Sequence, residues 1–162
     1  MNGSTVLRQP NTSTEEQCRE FARLVHQGFE TAGAGLDNRI CAAKCLAFHY
    51  PTRDKLAAIA ALKSPNDQYR YDVFNKAGSP ESCADYKVEL GWVYVDPAYR
   101  GNRIATKLCE LLLSRATNDC VFATTRTNNA LMSRILGTSG FANVGTPYIH
   151  RGEQLRLYLR PC

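Results

Sequence analysis

A run of six residues, Arg100-Gly101-Asn102-Arg103-Ile104-Ala105, has the composition of a phosphate-binding turn. The apolar residues that follow it have helical spacing, so the turn precedes a helix N-terminus, whose unpaired N–H groups and partial positive charge attract anions. Gly101 lets the backbone approach a ligand without a Cβ in the way, and Ala105 is small for the same reason. Arg100 and Arg103 add full positive charges. A plain loop between a strand and a helix is the alternative interpretation of these residues.

Glu89 is an acidic residue within the segment that has the strongest strand pattern. Apolar residues alternate along Val88–Val95, which predicts a strand. Gly91 within it indicates a bulge or a close backbone approach. Without a bulge, Glu89 would share one face with Gly91, Val93 and Val95. A carboxylate on such a strand can serve as a general base, and the alternative is an ordinary ion pair.

The elements that must position these residues can be predicted from apolar periodicity and turn signals. A capping-box pattern at Ser13 and Glu16 begins the first helix. Within this helix Cys18, Phe21, Ala22, Val25 and Phe29 follow helical spacing, and Gly28 with the pair Gly33 and Gly35 ends it. Ser64–Tyr86 is predicted as a long connection with one helical turn. The remaining predicted elements are a strand at Ser4–Gln9, a helix at Leu36–Lys44, a hairpin of Cys45–Tyr50 and Leu56–Lys63, a helix through Ile104 and Leu112, a strand at Cys120–Thr125, a helix at Asn129–Leu136, and strands at Gly140–Tyr148 and Gln154–Arg160.

The composition is that of an ordinary globular chain. Its 162 residues suit one domain, 1–162, and 44% hydrophobic with 22% charged residues argues against disorder. The longest apolar run, Leu56–Leu62, is too short to span a bilayer, and residues 1–11 lack a secretory apolar region, so we expect a soluble, cytoplasmic protein. The net charge of +5 is not concentrated in one run, which favours an anionic ligand or a solvated surface over nucleic acid.

Seven cysteines at irregular spacing favour free thiols in a reducing compartment over a disulfide framework. Cys41, Cys45 and His49 lie four residues apart and would share a face if they were on a helix. No fourth ligand follows at a spacing typical of zinc, so we expect no metal site.

The segment Val95–Ala105 resembles the acetyl-CoA-binding motif of the GNAT N-acetyltransferase superfamily, V-x-P-x-x-[QR]-x-x-G-x-[GA]. Asn129–Phe141 resembles the family's second recognisable segment, an Asn followed by a helix that ends in Gly-Phe. The order of predicted elements is also similar, and the resemblance covers Ser13 to Arg160. It implies an α/β (α+β) fold with a mixed, mostly antiparallel central sheet of six to seven strands, flanked by helices on both faces.

The resemblance also implies a function: an N-acetyltransferase in which an amine attacks the thioester of acetyl-CoA, its co-substrate, directly. The pyrophosphate would lie on the backbone of Arg100, Gly101, Asn102, Arg103, Ile104 and Ala105. The pantetheine arm would run along Val93 and Val95 and contact Asn129. A bulge near Gly91 would turn an N–H toward the acetyl carbonyl. Glu89 occupies a position that serves as the base in several family members.

Two residues depart from the family pattern. Arg103 stands where Gly is usual, and its side chain would either crowd the pyrophosphate or point outward and contact a phosphate. Leu136 stands where a Tyr often acts as general acid, and it cannot donate a proton. A thiol with a pKa of about 8.5 leaves as a thiolate without strong acid help, so the missing Tyr does not exclude catalysis. Tyr94 and Tyr148 are the available substitutes.

Two other functions remain open: a non-catalytic CoA-binding or regulatory module on the same fold, and an acyltransferase that acts on charged tRNA. The amine-bearing acceptor is not identified by the sequence, and a homodimer is one open option for the oligomeric state. Three loops are predicted to build the acceptor pocket: Gly28 to Leu36, Ser64 to Tyr86 and Pro147 to Gln154.

Overall fold

The computed structural model describes residues 3–29 and 32–162, and this part of the chain forms a seven-stranded sheet with five α-helices. The elements are β1 (Ser4–Arg8), α1 (Glu15–Gly28), α2 (Leu36–Cys41), β2 (Cys45–Tyr50), β3 (Ala58–Lys63), α3 (Asp67–Ala77), β4 (Val88–Val95), α4 (Ile104–Leu113), β5 (Val121–Arg126), α5 (Ala130–Thr138), β6 (Ala142–His150) and β7 (Glu153–Arg160).

The strand order in the sheet is β1-β2-β3-β4-β5-β7-β6. Strands β4 and β5 pair in parallel, whereas β1 with β2, β2 with β3, β5 with β7 and β6 with β7 pair antiparallel. The mixed, mostly antiparallel sheet flanked by helices confirms the predicted fold class.

The chain divides into two compact units, and the first comprises Met1–Ser64 and Leu90–Arg115. Four consecutive residues of β2, Cys45 to Phe48, are buried, so both faces of this strand are covered. Leu46 and Phe48 belong to a core cluster with Phe21 and other residues of α1 and α2, while α4 packs against β1, β2 and β3. The phenyl rings of Phe21 and Phe48 meet edge to face, 5.5 Å apart. Helices α1 and α4 thus both pack against strands of this unit.

The second unit comprises Pro65–Glu89 and Ala116–Cys162. Helix α3 packs on β6 and β7, and α5 packs on β5. Phe74 of α3 meets Phe122 of β5 edge to face, with ring centroids 5.5 Å apart. Phe122 is the register partner of Glu89 on β4, so a core residue of this unit lies next to the candidate base.

The first two helices differ from the prediction at their ends. The capping box of α1 consists of Thr14 and Gln17, one residue later than the predicted Ser13 and Glu16. Ser13 instead hydrogen-bonds back to Gln9, at the end of a short 3-10 turn. The predicted helix Leu36–Lys44 ends at Cys41, because the chain then joins the sheet and the N–H of Lys44 donates to Leu62.

The prediction for Ser64–Tyr86 is wrong, because this connection contains the 11-residue helix α3. Asn66 caps its start by accepting a hydrogen bond from the N–H of Tyr69. Gly78 ends it in the left-handed region, with φ of 66°. Arg70 lies buried in this helix and donates to the carbonyl of Cys83, which ties the following loop to α3.

The strands β2 and β4 have the predicted bounds, and the ends of the other predicted strands and of α4 and α5 differ from the prediction by at most two residues. The expectation that the cysteines are free thiols is wrong for one pair, since Cys120 and Cys162 form a disulfide. Disulfides are rare in reducing compartments, so this pair removes the cysteine argument for the predicted cytoplasmic location. Among residues 3–29 and 32–162, no helix is long and apolar enough to cross a membrane.

Within the same residues, no three His, Cys, Asp or Glu side chains lie together as a set of metal ligands. Cys41 ends α2, whereas Cys45 and His49 lie in β2, so these three side chains do not share a helix face. Of the predicted pocket loop Gly28 to Leu36, residues 30 and 31 lie outside the described part of the chain.

Candidate active site

The turn from Arg100 to Ala105, which we call the α4 entry turn, follows the end of β4, where hydrogen bonds of Asp96 end the strand. The side chain of Asp96 accepts a hydrogen bond from the N–H of Ala98, and its own N–H donates to Ala57. A short 3-10 turn, Pro97–Tyr99, follows. Arg100 then folds back, and its Nε donates to the carbonyl of Val95 over 3.0 Å. These bonds fix where the entry turn begins relative to the end of the strand.

Two residues of the entry turn have left-handed backbone: Gly101, with φ of 85°, and Arg103, with φ of 58°. A Cβ built at Gly101 would meet no atom of another residue within 4 Å, so the glycine is required by its backbone angle and the space beside it is open. The side-chain amide of Asn102 donates to the carbonyl of Tyr99 over 3.0 Å and stabilises the turn. The side chain of Arg103 is exposed.

Helix α4 begins at Ile104, which is buried, and the first helical hydrogen bond joins the N–H of Lys107 to the carbonyl of Arg103. The side chain of Arg103 makes no capping hydrogen bond. The N–H groups of the first turn have no partner inside a helix, and the helix dipole adds partial positive charge there. Two exposed guanidinium groups flank the same backbone. The arrangement is suited to bind a phosphate or pyrophosphate group.

The irregularity predicted near Gly91 lies one residue later, at Trp92, whose φ is 50° within β4. The indole ring of Trp92 packs against Phe21, with ring centroids 6.0 Å apart, and belongs to the core cluster of α1 and α2. Tyr94 packs against the same cluster. Because side chains alternate along a strand, Val93 and Val95 point to the opposite face, and both are half-buried.

Glu89 is a buried carboxylate, with 2% of its surface exposed. Tyr69 of α3 donates a hydrogen bond from its hydroxyl to Oε1 of Glu89 over 3.2 Å. Thr124 of β5 also hydrogen-bonds the side chain of Tyr69. With Tyr148 of β6, these residues form what we call the Glu89 cluster.

The electrostatics of the Glu89 cluster keep its two phenols neutral. Burial raises the pKa of Tyr69 well above its usual value, and the neighbouring Glu89 raises it further. Burial also raises the pKa of Tyr148, and Glu89 is again the second cause. Both side chains therefore remain hydrogen-bond donors throughout the physiological pH range. A buried carboxylate next to neutral phenols is suited to receive a proton or to hold a cation.

Asn129 caps helix α5, and its Oδ1 accepts a hydrogen bond from the N–H of Met132 over 3.0 Å. Its side chain is exposed. Leu136 lies fully buried in the same helix, so this position presents no proton donor. Tyr158 of β7 donates to the hydroxyl of Ser133 of α5 over 3.1 Å.

The predicted cofactor residues Val93, Val95 and Arg100 to Ala105 follow one another in the first unit, whereas Glu89 and Asn129 belong to the second. Tyr69 lies in Ser64–Tyr86, which the sequence predicts as a loop of the acceptor pocket, but no sequence signal pairs Tyr69 with Glu89. The cap at Asn66 and the i, i+4 spacing of Tyr69 and Val73 were the signals for a helix there.

The mixed sheet, the parallel β4–β5 pair and the uncapped start of α4 define a mixed α/β protein with a helix N-terminus that is suited to bind an anion. Residues 12–137 match the acetyltransferase (GNAT) family, and the chain belongs to that family. Against curated proteins, the sequence has no significant match.

Solved structures agree with the family assignment at the level of the fold. The chain is similar to an acyl-CoA N-acyltransferase from Pseudomonas aeruginosa, with a TM-score of 0.73 and 15% identity over 98% of this chain and 99% of that one. ElaA from Escherichia coli has a TM-score of 0.72 and 17% identity over 98% and 99% of the two chains. The protein yncA from Salmonella typhimurium, solved with its cofactor acetyl-CoA, has a TM-score of 0.66 and 17% identity over 98% and 94%.

Proposed function

We propose that this chain, as one domain over residues 1–162, is an acetyl-CoA-dependent N-acetyltransferase that acts on an amine. Membership of the acetyltransferase family supports acetyl transfer. The observation that favours an enzyme over a binding module is the buried carboxylate of Glu89 with a phenol donor on it. Burying a carboxylate is unfavourable unless it is hydrogen-bonded or paired, and such groups are concentrated at functional sites.

The residues of the α4 entry turn fit the pyrophosphate of acetyl-CoA, which supplies the acetyl group as a thioester. The start of α4 carries no side-chain cap, and the space beside Gly101 is open. We assign the N–H groups of the first turn of α4 and the two arginines to the pyrophosphate. The backbone of Val93 and Val95 is assigned to the pantetheine arm, and the side-chain NH2 of Asn129 to the same arm, because its Oδ1 is taken by the cap.

Glu89 acts as the general base in this proposal. A lysine-like amine has a pKa of about 10 and arrives mostly as an ammonium, so it must lose a proton before its lone pair can attack. Glu89 takes one N–H proton, and the nitrogen lone pair forms a bond to the acetyl carbon. The C–S bond then breaks with its electron pair on sulfur, and the departing thiolate takes the second N–H proton, which leaves the amide and the free thiol of CoA. Because a thiolate is a good leaving group, the leucine at position 136 does not block this step.

The proposal is tested by thiol release from acetyl-CoA in the presence of an amine panel: benzylamine, 1,4-diaminobutane, Nα-acetyl-lysine amide and a tripeptide with a free N-terminus. We expect turnover of at least one amine and one acetylated product per thiol released. Mass spectrometry identifies the acetylated nitrogen. Thiol release that does not depend on any amine would contradict the proposal.

A non-catalytic CoA-binding module is the second candidate, and the observation behind it is the fully buried Leu136, which provides no proton donor. It predicts that acetyl-CoA binds in a calorimeter while no amine of the panel is acetylated. Binding with turnover excludes it.

A further inference from the structure

The hydroxyl of Tyr148 is a buried polar group that lacks a hydrogen-bond partner among residues 3–29 and 32–162. Only 6% of the residue is exposed. An unpaired buried hydroxyl destabilises the folded state, whereas Phe would fill nearly the same volume without that penalty. Because native proteins contain few such groups, the retention of a tyrosine here indicates a role in binding.

The location of Tyr148 connects it to the candidate base. Tyr148 belongs to a core cluster that includes Phe122, the register partner of Glu89. Tyr69 packs against the same cluster while its hydroxyl donates to Glu89. The ring of Tyr69 also meets His150, two residues after Tyr148 on β6, edge to face at 6.5 Å.

The strand β6 is irregular just before Tyr148. Its pairing with β7 shifts register between Val144 and Tyr148. Gly145 has φ of 71°, and a Cβ built there would lie 2.0 Å from the carbonyl oxygen of Ala77 at the end of α3. The close approach of β6 to α3 therefore requires glycine. Register shifts of this kind redirect the side chains that follow them.

We propose that Tyr148 binds the acceptor: its hydroxyl oxygen accepts an N–H hydrogen bond from the acceptor's ammonium while Glu89 receives the proton. An ammonium has several N–H donors, and Glu89 takes only one of them. The neutral hydroxyl offers an acceptor beside the carboxylate. The electron-rich faces of Tyr69 and Tyr148 add favourable interactions with a cation. This inference rests on the proposed function and adds to it the group that recognises the amine.

The test uses Tyr148→Phe in the full chain. We expect the KM for the amine to rise about 10- to 100-fold, the range for losing one hydrogen bond to a charged group. The KM for acetyl-CoA stays within about two-fold, and Tm stays the same or rises, because no structural hydrogen bond is lost. A loss of amine recognition without a loss of stability is not expected of a structural tyrosine.

Tyr158→Phe is the matched control, because Tyr158 is buried in the same unit and its hydroxyl has a partner in Ser133. We expect its Tm to fall by about 2–4 °C and its KM for the amine to stay unchanged. An unchanged amine KM in Tyr148→Phe would overturn the inference. So would a fall in its Tm like that of Tyr158→Phe, because that result would indicate an ordinary structural hydrogen bond.

A second measurement separates this inference from the proposed function. Benzylamine is titrated by calorimetry into the wild type and into Tyr148→Phe, both saturated with CoA. If the wild type turns over no amine, the proposed function fails, and the titration still decides the role of Tyr148. Weaker binding of benzylamine by Tyr148→Phe supports that role, and an equal affinity of the two proteins for benzylamine overturns it.

Discussion

The α4 entry turn and the Glu89 cluster are built in opposite ways. The entry turn consists of six consecutive, mostly exposed residues, and the groups that we propose for the pyrophosphate are backbone N–H groups and two exposed arginines. The Glu89 cluster is mostly buried and takes its side chains from α3, β4, β5 and β6. A backbone site is encoded locally and tolerates most side-chain changes, whereas a side-chain site depends on four elements being in register. Substitutions in the entry turn should therefore change the affinity for acetyl-CoA, whereas substitutions in the Glu89 cluster should change kcat or the KM for the amine.

The largest effect is expected from Glu89→Gln, which keeps the shape of the side chain and removes its basicity. We expect kcat to fall by about 10²-fold or more. The loss should be greatest at low pH and should shrink as the pH approaches the amine pKa of about 10, because the substrate then arrives deprotonated. The measurement is the pH dependence of kcat for both proteins. Parallel profiles would remove Glu89 from the role of base.

Calorimetry with acetyl-CoA is the control for Glu89→Gln. We expect an unchanged affinity, because the entry turn and the Glu89 cluster are assigned to different ligands. A large loss of acetyl-CoA affinity would contradict the functional separation of the two regions.

Gly101→Val should act on the entry turn alone. Valine is strained at φ of 85°, and its branches would fill the open side of the turn. We expect acetyl-CoA affinity to fall by about 10-fold or more, equivalent to about 1.4 kcal/mol or more.

Gly78→Val is the matched control for that change. Gly78 also has a positive φ, of 66°, and open space where a Cβ would lie, but it ends α3 and is not assigned to the cofactor. It should lose stability as Gly101→Val does while binding acetyl-CoA normally. Equal affinities in the two variants would show that the pyrophosphate does not lie on the entry turn.

Tyr69→Phe tests whether the cluster depends on its hydrogen bonds. Without the phenol, Oε1 of Glu89 loses a donor at 3.2 Å and the carboxylate is held less firmly. We expect kcat to fall about 10-fold, with the KM for acetyl-CoA unchanged. Tyr71→Phe on the same helix is the control, since Tyr71 is 58% exposed and should show wild-type rates. A wild-type kcat in Tyr69→Phe would mean that Glu89 needs no positioning by α3.

The smallest effect is expected from Arg103→Gly, which restores the residue usual in the family. Left-handed backbone destabilises a non-glycine residue by about 1 kcal/mol, part of which is offset by the greater freedom of glycine in the unfolded chain. Thermal unfolding should therefore show a Tm that is unchanged or up to about 4 °C higher. Acetyl-CoA affinity should fall a few-fold at low salt and less at high salt, because an exposed charge is screened. A lower Tm would indicate that the arginine side chain stabilises the turn.

The strand β4 with its bounds, the helix after it and the turn between them could be predicted from the sequence. Each of these depends on residues close together in the chain. The bulge is predicted near Gly91, and the left-handed residue is its neighbour Trp92, whose indole packs against Phe21 in a contact that is not visible in the sequence. The helix α3 could not be predicted from a segment rich in Ser, Pro, Asn and Asp, which suggests a loop, although Asn66 serves as a cap.

The sequence by itself determined the strand β4, the helix α4 and the turn between them, since alternation, helical spacing and a turn glycine act over a few neighbouring residues. The class of fold followed from the resemblance of these segments to the GNAT family. Only the tertiary structure decided what surrounds Glu89. Tyr69 precedes Glu89 by 20 residues and Tyr148 lies on β6, so their meeting depends on strand register and on the packing of α3. The disulfide between Cys120 and Cys162, 42 residues apart, was likewise decided by how the strands pair. Long-range contacts of this kind depend on the whole fold, and no local spacing encodes them.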